Sequence, residues 1–422
     1  MRESFLHYVW RTRRIALKKL TTTTFQPVEI LDPGTYNTDA GPDFFNARIR
    51  IGDTIWAGNV EMHVRASEWL AHGHQNDPAY DNVILHVVFL EDKAIYLEAG
   101  VRLPCLEIRD RVALPLLEKY MQLEAAEAWI PCASFFPKTP QVIRLNCQDR
   151  LLVERLEEKT AQVAKALNAT QNHWDETFYR VLAAGFGLKV NVQPFESLAR
   201  TLPLHILSKH RNHLFQLEAL LFGQAGFLQN DLKDAYPQAL LREYQHLAHK
   251  YQLHPMSVQQ WKFARLRPAG FPTIRLAQFA ALISQSERLF SQILEVQDAR
   301  SIENLFALQV SDYWLDHFQF DKPSIRLPKR PGRDFIELLI LNCIVPVLYH
   351  YGKINQLNGY QNLALKILEE LPPESNVILD GWKQLGTRAH NAYESQALLH
   401  LKTRYCDAKR CLECAIGNAI LK

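Results

Sequence analysis

A chain of 422 residues, 47% hydrophobic and 22% charged, has the composition of ordinary globular material and room for two or three domains. The formal net charge of +3 diagnoses no partner, because nucleic-acid binding needs a local basic patch that a total cannot reveal. Seven cysteines, an odd number with three of them in the final stretch from Cys406 to Lys422, argue against a secreted disulfide framework and for a reduced, cytoplasmic protein.

In chain order, residues 3–20 carry Phe5, Leu6, Val9, Trp10, Ile15, Ala16 and Leu20 at helical spacing, with Arg11, Arg13, Arg14, Lys18 and Lys19 opposite. A solvated amphipathic helix explains that basic face better than a polyanion site. Arg and Lys interrupt the apolar residues and no small-residue cleavage site follows, so the segment does not read as a signal peptide. From Thr21 to about Ile108 the period changes to two. VEILDPG, ARIRI, TIWAGNVEMHV, NVILHVVFL and AIYLEAG are predicted strands, punctuated by Gly34, Gly41, Gly52, Gly58 and Gly100. A helix over ALPLLEKYMQLEAAEAW closes this region, and the proline-rich IPCASFFPKTPQ marks a domain boundary.

Beyond about Val142 the pattern is helical to Val310, without a fixed-period repeat. Within it, WKFARLRPAGFPTIRLAQFA sets Arg265, Arg267 and Arg275 around Pro268, Gly270 and Pro272. Such a loop is able to position a phosphate at a helix start or to clamp helices together. The most apolar run, Phe335 to Tyr351, contains Glu337 and Pro346 and is short, so a buried helix fits it and a membrane span does not. The expected architecture is α+β: a sheet-rich α/β domain over 1–130 with a central mixed sheet, a helical domain over 131–320, and a helical region over 321–422 that holds a cysteine cluster.

The chemistry concentrates between Asp39 and Val88. Alternation along a strand puts Asn59, Glu61 and His63 on one face, with Val60, Met62 and Val64 on the other. Asp43 enters just before the ARIRI strand. Two carboxylates on neighbouring strands suit a hard cation such as Mg²⁺ or Mn²⁺, which keeps several waters and binds one or two carboxylates plus substrate phosphates. His72 and His74 flank Gly73 in a predicted loop, and Ser67 with Glu68 reads as a helix start. His86, between Ile84 and Val88, reads first as a hydrogen-bonded core residue. The same histidines offer a competing zinc-hydrolase reading, although no HExxH helix is present. Cys406, Cys411 and Cys414 suggest Zn²⁺ or an iron–sulfur cluster. The fourth ligand is left open among Cys105, Cys132, Cys147, Cys343 and His400; core packing of free thiols is the alternative. The chain has no G-x-S-x-G elbow and no phosphate-binding or dinucleotide-binding glycine loop.

Pro42-Asp43, seventeen intervening residues, then Glu61-Met62-His63 resembles the active-site signature of the PD-(D/E)XK nuclease superfamily. The resemblance implies that Asp43 and Glu61 bind metal and that catalysis is phosphodiester hydrolysis of a nucleic acid. His63 stands where that signature has lysine, so it implies a substitute base, a metal ligand or a lost activity. A protein that keeps a nuclease-like fold purely for interaction is the alternative. GPDFFNARI, GNVEMH, SEWLAHGH, YDNVILHVV and RCLECAIG together also resemble an uncharacterised bacterial family of unknown function over nearly the whole chain.

Overall fold

The computed structural model describes residues 1–97, 100–229 and 231–422. Two compact units are distinguished, one built from Met1–Cys147 with Leu401–Lys422 and the other from Gln148–His400. The expected 321–422 region is thus divided, because its last 22 residues make their contacts within the N-terminal unit.

The first unit opens with α1, Glu3–Arg11. This helix is shorter than the predicted 3–20. Thr12 caps it with its hydroxyl on the Tyr8 carbonyl, and Arg13 and Lys19 adopt left-handed backbone conformations that no α-helix tolerates. Its Phe5, Leu6, Tyr8, Val9 and Trp10 are buried, which fixes the helix on the sheet and directs its remaining face.

The sheet contains β1 (Leu20–Thr21), β2 (Pro27–Asp32), β3 (Thr35–Tyr36), β4 (Phe44–Ile51), β5 (Thr54–Arg65), β6 (Val83–Leu90) and β7 (Cys105–Glu107). Its order is β1-β2-β4-β5-β6-β7, with β3 also on β4. The pairs β2–β4 and β4–β5 are antiparallel, whereas β5–β6 and β6–β7 are parallel, so the sheet is mixed. Among the described residues of the predicted AIYLEAG strand, Tyr96 forms an isolated bridge to Arg102 and no strand is assigned; Glu98 and Ala99 lie outside the described residues.

Two irregularities place the site. Between Phe44 and Ala47 the β4–β5 register shifts, and Asn46 at this bulge has φ +57°. Between Asn59 and Val60 the β5–β6 register shifts as well. Gly58 lies at that second point because a Cβ there would fall 2.4 Å from Ile84 and 2.7 Å from the Asn82 carbonyl. A short helix, α2 (Glu68–Ala71), and two single turns carry the chain from β5 to β6 over a cluster of Trp69, Tyr80, Val83, Ile95 and Leu103. The predicted helix after the sheet forms as α3, Leu114–Ala125.

The second unit is almost wholly helical among the described residues, with one small hairpin, His317–Gln319 and Lys322–Pro323. The helix Pro272–Gln285 is enclosed by its neighbours, every side chain from Pro272 to Ile283 being buried. The apolar run lies in Arg333–Ile354, which is long and apolar enough to cross a membrane, yet 72% of its most apolar window is buried inside the protein. A π-helical turn, Ile340–Ile344, precedes Pro346 in that helix. Proline lacks the N–H that would bond back into the turn, and the Lys159 ammonium donates instead to the Leu341 carbonyl and the Asn342 side chain, each at 3.1 Å. A buried carboxyl also belongs to this unit. Glu218 Oε2 accepts bonds from Tyr236 at 2.5 Å, Ser311 at 3.1 Å and the Trp314 indole at 3.3 Å.

Candidate metal centre on the mixed sheet

Glu61 and His63 share a face of β5, as alternation requires, and His86 stands opposite Glu61 in the parallel register. Asp43 reaches the same place from the start of β4. Its Oδ2 accepts the Met62 N–H at 2.9 Å, while Glu61 Oε2 accepts the Asp43 N–H at 3.1 Å. The two carboxylates are therefore tied to each other's strands across the bulge. Neither has an arginine or lysine partner among the described residues; Arg50 pairs with Glu29 instead.

The helix α1 completes the acidic side. Glu3 and His7 lie one helical turn apart and project over the sheet, and the ligand atoms of Glu3, His7 and Asp43 lie within 4.8 Å of one another. His7 Nε2 is 3.1 Å from Asp43 Oδ2 yet buried without a well-formed hydrogen bond, and its Nδ1 faces the Tyr36 hydroxyl at 3.4 Å. Burial first, and the Asp43 charge second, push the Glu3 carboxyl up to about 7. The same two causes hold Glu61 well above the usual carboxylate range. The i, i+4 spacing of Glu3 and His7 on one helix face is the sequence signal that corresponds to this pair.

The imidazole side adjoins it. His63 is fully buried; its Nδ1 is 2.9 Å from His86 Nε2 and its Nε2 is 3.1 Å from His72 Nδ1. His74 Nε2 lies 3.3 Å from Glu61 Oε1, buried and without a hydrogen-bond partner. Gly73, with φ +78°, turns the chain so that the His72 and His74 rings both come beside His63, at 5.0 and 5.3 Å between centroids. Tyr80 stacks on His74 at 3.8 Å between ring centroids, and Trp69 packs edge-on against His74 and at a tilt against His86. Burial, then the neighbouring imidazoles, push His63 down to about 2, and burial pushes His86 down to about 3. Both rings are thereby held well below the usual imidazole range. His63 consequently does not reproduce the positive charge of a lysine at its position.

Ser67 stands apart from this chemistry. Its hydroxyl and N–H both donate to Asp92, at 2.7 and 2.9 Å, fastening the start of α2 to the loop after β6. The arginine trio is likewise dispersed in character. Arg265 and Arg267 are exposed, whereas Arg275 is buried with its guanidinium 3.3 Å from the Phe335 ring centroid and bonded to Gln278. Burial lowers Arg275 to about 10.

The cysteines divide as well. Cys105 is in β7, Cys147 in the helix Gln141–Ala169 and Cys343 in the helical unit, whereas Cys132 feels the thiols of Cys414 and Cys411, and Cys406 feels all three. Burial, with those neighbours adding, pushes Cys132 and Cys411 up to about 12. Cys414 accepts a tight turn, its N–H on the Cys411 carbonyl at 3.3 Å, and Gly417 leaves room for that carbonyl, which a Cβ would meet at 2.0 Å.

Beside the acidic side lies a cavity of about 480 Å³ whose lining includes Arg2, His7, Arg11, Tyr36, Lys409 and Arg410. A larger one, about 920 Å³, belongs to the helical unit and contains none of the candidate residues. A family profile described as "Protein of unknown function (DUF2851)" matches residues 3–377. No curated protein and no solved structure matches the chain.

Proposed function

The chain belongs to the DUF2851 family, and we propose that it catalyses metal-dependent hydrolysis of phosphodiesters in nucleic acid. The observation that carries the reading is the crowding of Glu3, Asp43 and Glu61 with His7, with no arginine or lysine partner among the described residues, next to a cavity where Arg2, Arg11, Lys409 and Arg410 mingle with Glu124 and Glu413. Carboxylates that raise one another's affinity for protons in this way are matched to a divalent cation.

Glu3, His7, Asp43 and Glu61 are the residues that would hold Mg²⁺ or Mn²⁺. When bound, such an ion supplies an activated water and neutralises charge on the phosphate. The backbone bonds from Asp43 and Met62 keep the two strand carboxylates oriented before any ligand arrives. In that lining Arg2 pairs with Glu124 at 2.6 Å, Arg410 with Glu413, and Lys409 donates to the Glu124 carbonyl, so a phosphate backbone would compete for these cations. The resemblance to PD-(D/E)XK nucleases supports the same reading, since Asp43 immediately precedes β4 and Glu61 lies on the adjacent β5, behind an N-terminal helix.

The test is Mg²⁺- or Mn²⁺-dependent cleavage of a DNA and RNA panel, with Asp43→Ala and Glu61→Ala as controls. Cleavage that survives in both variants sinks this site. The interaction-protein alternative predicts no cleavage by the wild type and capture of nucleic acid without turnover. At the cysteines the proposal names Cys132 as the fourth thiol beside Cys406, Cys411 and Cys414, holding Zn²⁺ or an iron–sulfur cluster as a staple of the first unit. Elemental analysis of wild type and Cys132→Ser checks it; equal metal content in the two overturns the assignment.

A further inference from the structure

A lysine at the third position of the carboxylate signature would bring a fixed positive charge next to the reacting phosphate. Here that position is His63, a fully buried imidazole. Around its Nε2 the structure collects three further ligand atoms. His72 Nδ1 is 3.1 Å away, Glu61 Oε1 is 3.8 Å away, and His74 Nε2 is 3.3 Å from that same Glu61 oxygen. The three imidazole atoms lie within 4.8 Å of one another. Four N and O ligands placed tetrahedrally at zinc bond lengths stand about 3.3 Å apart. The His63–His72 and His74–Glu61 separations of 3.1 and 3.3 Å are close to that edge length, and the three histidines form a set compact enough to share one ion.

We propose that His63, His72 and His74 form a three-imidazole seat for a zinc-class cation, with Glu61 Oε1 at its edge, and that the ion supplies the charge that a lysine would otherwise bring. Four further features serve such a seat. His74 Nε2 is buried and has no hydrogen-bond partner, so its lone pair is committed to nothing else. A lone pair on His63 Nε2 requires the ring proton on Nδ1, and His86 Nε2 at 2.9 Å is positioned to accept it. Tyr80 stacked on His74 fixes that ring's plane. His72 is exposed, which gives the ion an entry path.

Glu61 then joins two centres. Its Oε1 faces the imidazoles, while its Oε2 faces Asp43 and the carboxylate seat. The imidazole seat is a binding site in its own right and goes beyond the hydrolysis reading, with which it shares only Glu61.

The experiment uses the full chain carrying Cys411→Ser and Cys414→Ser, so that thiols do not compete. Apo protein is titrated with Zn²⁺ against a chromophoric chelator, and with Co²⁺ as a visible reporter. We expect one equivalent bound and an intense visible cobalt band, the mark of tetrahedral N/O coordination. His72→Ala and His74→Ala each weaken zinc binding at least about a hundredfold, and His86→Phe, acting through His63, weakens it about 10–100-fold. His72 is exposed, so its replacement leaves folding intact, which circular dichroism verifies. Asp43→Ala retains the cobalt band. Failure to load zinc, a weak octahedral spectrum, or undiminished affinity in both His72→Ala and His74→Ala overturns the seat. Zinc loading without any nucleic-acid cleavage upholds the seat and removes the hydrolase reading. Cleavage with Mg²⁺ alone and no zinc loading does the reverse.

Discussion

Two buried glutamates set the two units of this protein against each other. Glu218, in the helical unit, is fully buried but receives donors from Tyr236, Ser311 and Trp314 on one oxygen. Burial pushes it up to about 7, and those donors pull against the rise. Glu61, on the sheet, is also buried, but Asp43 and Glu3 repel its charge, and the buried His63 beside it resists protonation. A carboxyl furnished with its own hydroxyl and indole donors is a structural element. A carboxyl surrounded by other acids and by nitrogen lone pairs is waiting for a cation. Desolvation alone does not separate the two cases; the neighbours do.

The largest expected effect breaks the comparison on the sheet side. Removing one metal-binding carboxylate forfeits several kcal/mol of transition-state stabilisation, so Asp43→Ala should lower cleavage rates on the order of a thousandfold, read by single-turnover assays on a labelled strand. Glu218→Ala should leave the rate per folded molecule unchanged.

On the helical side the sharpest test is pH. Glu218 is protonated in the folded state up to about 7, whereas an unfolded glutamate ionises near 4.5. Its stabilising contribution is therefore complete below pH 4.5 and is lost as pH rises through about 7, a change of about 3 kcal/mol. Urea unfolding at pH 5 and pH 8 should show wild type losing about that much relative to Glu218→Gln. A pH-independent difference between the two proteins contradicts the assignment.

Smaller effects refine the picture. Tyr236→Phe withdraws one of the donors on Glu218 and should destabilise the helical unit by about 1–3 kcal/mol in the same unfolding experiment. Gly73→Ala meets no neighbour within 4 Å, so only the left-handed backbone at φ +78° resists it. The cost should be about 1–2 kcal/mol, together with weaker zinc binding as His72 and His74 separate. A glycine-to-alanine change that leaves both quantities untouched would mean that the turn does not set the spacing of the two rings.

The sequence carried the strand-borne half of this site and little of the rest. Period-two alternation was enough to put Glu61 and His63 on one face, and the turn around Gly73 was readable as a loop with two imidazoles. Glu3 and His7 escaped notice because a helix contributes them, and only tertiary packing brings α1 over β5. Ser67 was drawn in by its position near the histidines, whereas its partner, Asp92, is distant in sequence. Cys132 could not be chosen from five candidates by spacing, since the chain returns to it only after some 270 residues, at Cys406. The 3–20 helix was overextended because apolar periodicity continues past Arg11, while the backbone at Arg13 turns left-handed. The mixed sheet and the helical second half were legible because strand and helix periods are local signals.

The bulge at Asn46 has one more implication. Where β4 and β5 fall out of register, the ladder loses its regular backbone rungs. Asp43 and Glu61 stand in for them by accepting the Met62 and Asp43 amides. These side chains are therefore part of the fabric of the sheet as well as its chemistry. An amide at either position would have to surrender an oxygen acceptor or turn a donor toward a donor. Replacing the acids to silence the site thus also loosens the seam that holds it, and an inactive variant has to be shown to keep its strands paired before its silence is ascribed to the missing charge.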